Sequence, residues 1–123
     1  MAWEHFDENR ELCKLQHVAT GEVIEGSYNK SIVTTGKSRV FNGYRIVVYF
    51  LDVAIEGRDT NYSESYTKAL KDCNKKLEAE GWRLLVAGNA PGYYETGLSC
   101  GRGQGYIKGQ KGPAVDIMSF YQA

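Results

Sequence analysis

The sequence predicts an α+β fold, a mostly antiparallel sheet of about five to seven strands with one principal helix (about residues 62–80) packed on one face. Two observations lead to this prediction. Apolar residues recur at helical spacing up to residue 77, followed by a glycine and a short apolar run. Elsewhere, β-branched and aromatic segments alternate with turn residues. At 123 residues, the chain is expected to form a single domain over residues 1–123.

The principal helix is predicted from one apolar face, whose members lie three, four or seven residues apart, as a period of 3.6 requires. They are Tyr62, Tyr66, Ala69, Leu70, Cys73 and Leu77. Asn61 suits the N-cap, with Glu64 completing a capping box. Gly81 suits the left-handed residue that ends a helix. This face is expected to be core, which makes Cys73 a buried thiol and not a nucleophile.

The remaining elements are predicted as strands bounded by turn residues. Asn42-Gly43 is a strong hairpin signal, and the apolar run after it is the longest in the chain, which indicates a central strand. In chain order, the elements are a helical turn or anchored arm at 2–10, a hairpin turning at 20–21, and strands at 31–40, 44–55, 82–88, 93–96, 106–108 and 114–121. The strand at 82–88 is expected in the interior of the sheet, and the strand at 114–121 is expected to close it.

The composition is that of an ordinary globular protein. Hydrophobic residues make up 42% of the chain and charged residues 24%, and fifteen basic side chains balance fifteen acidic ones. Without a basic excess, neither nucleic acid nor an anionic membrane is expected as a partner. No segment approaches transmembrane length, and the acidic start lacks the apolar core of a signal peptide. A cytoplasmic location is therefore expected.

Charge is unevenly distributed along the chain. Residues 1–29 carry a net charge of −4, whereas residues 97–112 carry +3. Such an imbalance marks either solvated surface or an electrostatic binding face. The acidic residues of the N-terminal part are Glu4, Asp7, Glu8, Glu11, Glu22 and Glu25.

No catalytic or metal-binding pattern is evident. Cys13, Cys73 and Cys100 are odd in number and widely spaced, which fits neither a disulfide framework nor a metal motif. His5 and His17 together with Cys13 lack a convincing fourth zinc ligand. We therefore predict no catalytic residue, no metal and no cofactor.

Residues 97–105 are predicted to form a glycine-rich loop. Its glycines allow backbone amides to point into one concavity, where Arg102 adds charge for an anion, and Ser99 and Cys100 supply a hydroxyl and a thiol. Two interpretations remain open. The segment either binds an anion or a partner, or is a mobile loop or a set of bulges in a twisted sheet.

Tyrosines flank this loop. Three of the nine in the chain are Tyr93, Tyr94 and Tyr106. Tyrosine combines apolar area with a polar tip, so exposed clusters favour binding surfaces, although the edges of a core use the residue in the same way.

Size, an acidic N-terminal third and two tyrosine-bearing segments together resemble the immunity proteins of bacterial toxin systems, such as contact-dependent inhibition and type VI secretion. The segments are Gly-Tyr-Tyr-Glu-Thr-Gly-Leu-Ser-Cys at 92–100 and Gly-Tyr-Ile-Lys-Gly at 105–109. The resemblance implies an inhibitor that binds a cognate toxin domain and masks its active site. Acidic residues commonly complement basic nuclease surfaces in this way.

The leading hypothesis is a non-enzymatic protein that binds and neutralises a cognate bacterial toxin domain. Its interface is expected to use the six N-terminal acidic residues or the region of Tyr93, Tyr94, Arg102 and Tyr106. The alternative is a small enzyme or an anion- or ligand-binding domain that uses residues 97–105. A third hypothesis is a homo-oligomeric structural subunit, so a homodimer remains open.

Overall fold

The computed structural model describes residues 3–59, 66–95 and 103–122. A curled antiparallel sheet of six strands packs against one α-helix, and three short strands form a second sheet. The predicted α+β class is confirmed. Within the described ranges, no helix combines the length and the apolarity that crossing a bilayer requires.

The helices are α1 (Tyr66–Ala79) and a short 3₁₀ helix (Ala87–Asn89). The strands are β1 (Glu4–His5), β2 (Glu11–His17), β3 (Val23–Thr35), β4 (Val40–Phe50), β5 (Val53–Asp59), β6 (Trp82–Leu84), β7 (Tyr93–Tyr94), β8 (Gln104–Ile107) and β9 (Val115–Asp116). The larger sheet has the order β5-β4-β3-β2-β6, with β1 paired to β3, and the smaller has the order β7-β8-β9.

The apolar face predicted for α1 is confirmed. Its described members are buried: Tyr66, Ala69, Leu70, Cys73 and Leu77. Gly81 follows the helix with a φ of 84°, as its predicted role requires. Asn61, Tyr62 and Glu64 lie outside the described residues, so the predicted N-terminal cap stays a prediction.

The hairpin predicted around residues 20–21 is confirmed, because β2 and β3 pair in an antiparallel register. The turn predicted at Asn42-Gly43 is wrong, because both residues lie inside β4 and the chain turns at residues 36–39 instead. The single strand predicted over 44–55 is also wrong. A turn at Leu51 and Asp52 separates β4 from β5, and Leu51 takes a φ of 51°, which few non-glycine residues adopt.

Two later predictions need correction. The strand predicted over 82–88 is confined to the three residues of β6 and lies at the end of the sheet, not in its interior. The final strand predicted over 114–121 does not close the larger sheet. Its first part, β9, belongs to the smaller sheet, while Phe120 forms an isolated bridge with Val86.

Helix α1 also covers the outer edge of β5. Lys76 Nζ donates to the carbonyl oxygen of Glu56 at 2.7 Å, and the backbone N–H of Arg58 donates to Asp72 Oδ2 at 3.1 Å. An open strand edge is a template for pairing with other chains. These two side chains therefore occupy backbone groups that another strand would otherwise use.

Residues 3–10 are an anchored arm across the outer face of the sheet and not a helical turn. The guanidinium of Arg10 lies 3.5 Å from the ring centroid of Tyr49, and Asn29 Nδ2 donates to the carbonyl oxygen of Asn9 at 2.8 Å. These contacts bury Asn29, a polar residue in the middle of β3, with its hydrogen bond satisfied.

Four charged side chains link the arm to β4 and β5. Both terminal nitrogens of Arg58 donate to the carboxylate of Glu4, at 2.5 and 2.8 Å. Glu56 accepts from Arg45 Nε and Arg58 Nε, at 2.5 and 2.9 Å. The hydrogen bonds from Arg58 lower the pKa of Glu4. Burial opposes the charged form of Glu56, but hydrogen bonds from both arginines outweigh it and lower the pKa of that carboxyl.

We expect this network to make stability depend on pH. Because both carboxyl pKa values lie below the usual 4.5 in the folded state, the stabilisation is present above that value and is lost as the pH falls through the folded pKa values. In urea denaturation, the unfolding free energy of the wild-type protein should fall between about pH 7 and about pH 3. In Arg58→Gln it should fall by less over the same range. The control is Arg83→Gln, an exposed arginine outside the network. An equal loss in both variants would contradict the assignment.

Candidate binding surfaces

The arm, the end of β3 and the turn after it line an open cleft of about 590 Å³, called here the N-terminal cleft. It brings together three of the six acidic residues predicted for partner binding. Its lining consists of Glu4, His5, Phe6, Asp7, Glu8, Ile32, Thr34 and Arg39.

Backbone pairing fixes the position of β1 against the end of β3 at one side of the cleft. In β1, His5 lies opposite Thr34 of β3. The N–H of Gly36 donates to the carbonyl oxygen of Trp3 at 3.0 Å, and His5 Nε2 lies 3.2 Å from the carbonyl oxygen of Gly36, at hydrogen-bonding distance. Asp7 Oδ1 accepts from the backbone N–H of Asn9 at 2.9 Å, which fixes the bend after β1.

The acidic residues of the cleft differ in their availability. The charge of Glu4 is balanced by Arg58, as described above, so this residue anchors the arm. Asp7 and Glu8 are exposed at the cleft. Their carboxylates face water beside Arg39, which is also exposed. The negative charge that a partner meets therefore comes chiefly from Asp7 and Glu8.

Apolar side chains lie beside these carboxylates. Ile32 is 45% exposed on the cleft wall, and Phe6 stacks on the guanidinium of Arg45 at 4.0 Å. Trp3, 55% exposed, precedes β1, and Val40 is exposed opposite Thr35 on the neighbouring strand. The surface thus combines an apolar centre with acidic neighbours.

The other three acidic residues lie elsewhere. Glu11 accepts a hydrogen bond of 2.6 Å from the hydroxyl of Tyr28. Glu22 lies in the turn between β2 and β3, and Glu25 is exposed opposite Lys14 of β2. The structure therefore distributes the predicted acidic set over more than one surface.

The predicted tyrosines have two different environments. Tyr94 and Tyr106 are opposite each other on β7 and β8, with ring centroids 5.7 Å apart, and Tyr94 is exposed. The hydroxyl of Tyr93 lies 3.4 Å from a carboxylate oxygen of Glu95, and burial is the main cause that raises its pKa. Of the three, only Tyr94 is exposed, and Tyr93 and Tyr106 are half-buried. Arg102 lies outside the described residues.

Only the end of the glycine-rich segment is described. Gly103 packs tightly on Lys30 and Tyr66, because a Cβ at this position would contact Lys30 Nζ and lie 2.8 Å from the Tyr66 ring. Lys30 Nζ lies 2.7 Å from Asp116 Oδ2 and 4.7 Å from the Tyr66 ring centroid. The ion pair of Lys30 in β3 with Asp116 in β9 links the smaller sheet to the larger one. Ser99 and Cys100 lie outside the described residues, so the anion-binding hypothesis stays a prediction.

The two described thiols are not suited to nucleophilic catalysis. Burial raises the pKa of both Cys13 and Cys73 to about 12, so at neutral pH they are protonated. Among residues 3–59, 66–95 and 103–122, no three His, Cys, Asp or Glu side chains are placed to hold a metal ion.

We expect these two thiols to resist alkylation in the folded protein. In a Cys100→Ala variant treated with iodoacetamide at about pH 8, fewer than roughly one in ten of them should be labelled, since only the thiolate reacts. Both should be labelled in urea, as measured by intact mass. Rapid labelling of the native variant would contradict the burial that raises their pKa values.

Sequence reasoning identified the acidic residues of the cleft but missed its apolar part. Phe6 and Ile32 are far apart in the chain, and only the pairing of β1 with the end of β3 brings them to one site. The sequence signal was the β-branched run that contains Ile32, which predicts a strand but not which of its side chains stay exposed. Alternation alone does not show which face of a strand stays exposed.

No protein-family model matches the chain, and a search of curated proteins found no significant similarity.

Proposed function

We propose that this protein is a non-enzymatic binding protein that neutralises a cognate bacterial toxin domain through the N-terminal cleft. The observation that carries the proposal is the placement of Asp7 and Glu8 in one cleft with exposed Ile32 and half-buried Phe6. The partner expected for this surface is a protein with a basic and partly apolar binding face. The proposal assigns the encounter to the bacterial cytoplasm.

The chemistry of the cleft supports a protein partner. Protein interfaces combine a desolvated apolar centre with a polar rim, and aromatic side chains often provide their largest energetic contributions. Phe6 and Ile32 offer such a centre, and the exposed carboxylates of Asp7 and Glu8 offer the rim. Carboxylates at the rim attract a basic partner over distance and raise its association rate.

The anchoring of the arm also supports binding. The ion pairs of Glu4 with Arg58 and the pairing of β1 with β3 hold the acidic residues in place before a partner arrives. A surface ordered in advance loses less conformational entropy on association. Tight binding is therefore compatible with a segment of only a few residues.

Co-expression tests the proposal. The gene beside this one, on the hypothesis that it encodes the toxin, is expressed with and without this chain. We expect growth to be restored only in the presence of this chain, and the two products to co-purify as a stable complex. The proposal fails if the chain neither protects the cells nor binds the neighbouring product.

The same experiment separates inhibition from enzymatic removal of a toxin. An inhibitor acts in a fixed ratio, so protection should require about one chain per toxin molecule, and the recovered toxin should be chemically unchanged by mass spectrometry. Protection by a small fraction of that amount, or a modified toxin, would favour the enzyme alternative over the binding protein.

A further inference from the structure

A second concave surface, called here the fork groove, lies between β2 and the C-terminal segment. It has a volume of about 360 Å³, and its apolar lining includes Leu12, Leu85, Met118 and Phe120. It shares no lining residue with the N-terminal cleft.

The groove exists because β6 is short. Pairing between β2 and β6 runs from His17 to Leu15, and the last contact is the N–H of Leu85 donating to the carbonyl oxygen of Lys14 at 3.0 Å. The chain then leaves β2 and bonds to the C-terminal segment, with the N–H of Tyr121 donating to Leu85 at 3.1 Å. β2 and the C-terminal segment, which both bond to the chain near Leu85, therefore diverge from that point, and an apolar fork opens between them.

The fork exposes a strand edge. The backbone groups of odd-numbered residues of β2 bond toward β3, as the N–H of His17 does with Glu22. Those of even-numbered residues point toward β6, as the carbonyl of Lys14 does when it accepts from Leu85. The backbone groups of Leu12 therefore face the fork, where β6 has already ended. No other strand of the described ranges pairs with this part of β2 on that side.

Large apolar side chains surround this edge. Leu12 is 72% exposed and Phe120 is 59% exposed, although both adjoin buried core residues such as Met118. The ammonium of Lys14 lies 5.3 Å from the ring centroid of Phe120, and Glu25 is the other charged residue of the lining. Covering these two side chains would remove apolar surface from water, which favours association.

We propose that the fork groove is the interface of a symmetric homodimer. The groove is complementary to a second copy of itself. One patch carries a protruding Leu12, a groove able to receive it, a cation (Lys14) and an anion (Glu25). A two-fold axis places each feature opposite its complement on the second copy, and the antiparallel pairing of one edge with itself obeys the same symmetry. A partner of a single charge would complement only one of the two charged residues.

The fork groove and the N-terminal cleft have no lining residue in common, so the residues that hold the dimer are not those proposed to bind the toxin. Variants of one surface therefore test it separately from the other. If both proposals hold, two chains and two toxin domains form one complex.

Sedimentation equilibrium of the full chain tests the dimer directly. We expect a mass near twice the 13.8 kDa of one chain, and a mass near that of one chain for Leu12→Lys. The matched control is Leu51→Lys, because Leu51 is 73% exposed in the β4–β5 turn, outside the groove. This control should remain dimeric. A monomeric wild-type chain, a dimeric Leu12→Lys or a monomeric Leu51→Lys would overturn the proposal.

Charge reversal provides a second test that does not depend on Leu12→Lys folding. Glu25→Lys places two cations on each copy, so we expect at least a tenfold weaker dimer. Adding Lys14→Glu restores one charge of each sign and should restore the dimer. Circular dichroism confirms that each variant is folded. If the single variant dimerises like the wild type, or the double variant stays as weak as the single, the groove is not the dimer interface.

Discussion

Replacing Gly57 by valine is expected to destabilise the fold by about 3 kcal/mol. Gly57 lies on β5 where α1 crosses the sheet, and a Cβ there would contact the carbonyl oxygen of Ala69 and lie 2.5 Å from the backbone nitrogen of Cys73. Both contacts are to the helix backbone, which cannot rotate away as a side chain does. The helix must therefore move away from the sheet and loosen its buried face, because protein interiors are close-packed.

The measurement is urea denaturation followed by circular dichroism, with Ala54→Val as the matched control. Ala54 lies on the same strand but is exposed, so its added methyl groups should change the unfolding free energy by less than about 0.5 kcal/mol. Similar midpoints for the two variants would show that α1 does not pack this closely on β5.

The helix was the most predictable element of the fold. Its buried residues must repeat at helical spacing to face the sheet, so the pattern from Tyr66 to Leu77 is visible without any tertiary information. Gly57 itself gave no such signal. A glycine before a predicted helix indicates a loop as readily as a close packing contact.

Strand boundaries were less predictable, because the turns use unexpected residues. Leu51 adopts a positive φ at the β4–β5 turn, whereas the Asn42-Gly43 pair lies within β4. Both cases follow from tertiary pairing. The register of β3 with β4, including its irregularity between Ile32 and Thr34, decides where the chain turns, and local propensity does not.

The candidate site was predictable only in its composition. The acidic character of residues 1–29 indicated an electrostatic surface, but not that Glu4 is balanced by Arg58, 54 residues away. Nor did it indicate that Asp7 and Glu8 adjoin Ile32. Long-range contacts of this kind depend on the pairing of β1 with β3, and one sequence does not encode them in any local pattern.

The double variant Asp7→Lys/Glu8→Lys is expected to weaken binding to the proposed toxin partner by roughly 100-fold, or about 3 kcal/mol. Both side chains are exposed at the cleft, so the substitutions should leave the fold intact. They place lysines against a basic face, where like charges repel. Most of the loss should appear as a slower association rate at low salt and should shrink as salt screens the charges. Surface plasmon resonance at two salt concentrations measures both effects.

The matched control is Glu78→Lys/Glu80→Lys, which makes the same change of charge near the end of α1, away from the cleft. If net charge alone attracts the partner, both double variants weaken binding equally. If the N-terminal cleft is the interface, the control keeps nearly wild-type affinity. Ile32→Ala then separates the apolar contribution from the electrostatic one. Because Ile32 carries no charge, its loss should speed dissociation at every salt concentration and leave the association rate nearly unchanged.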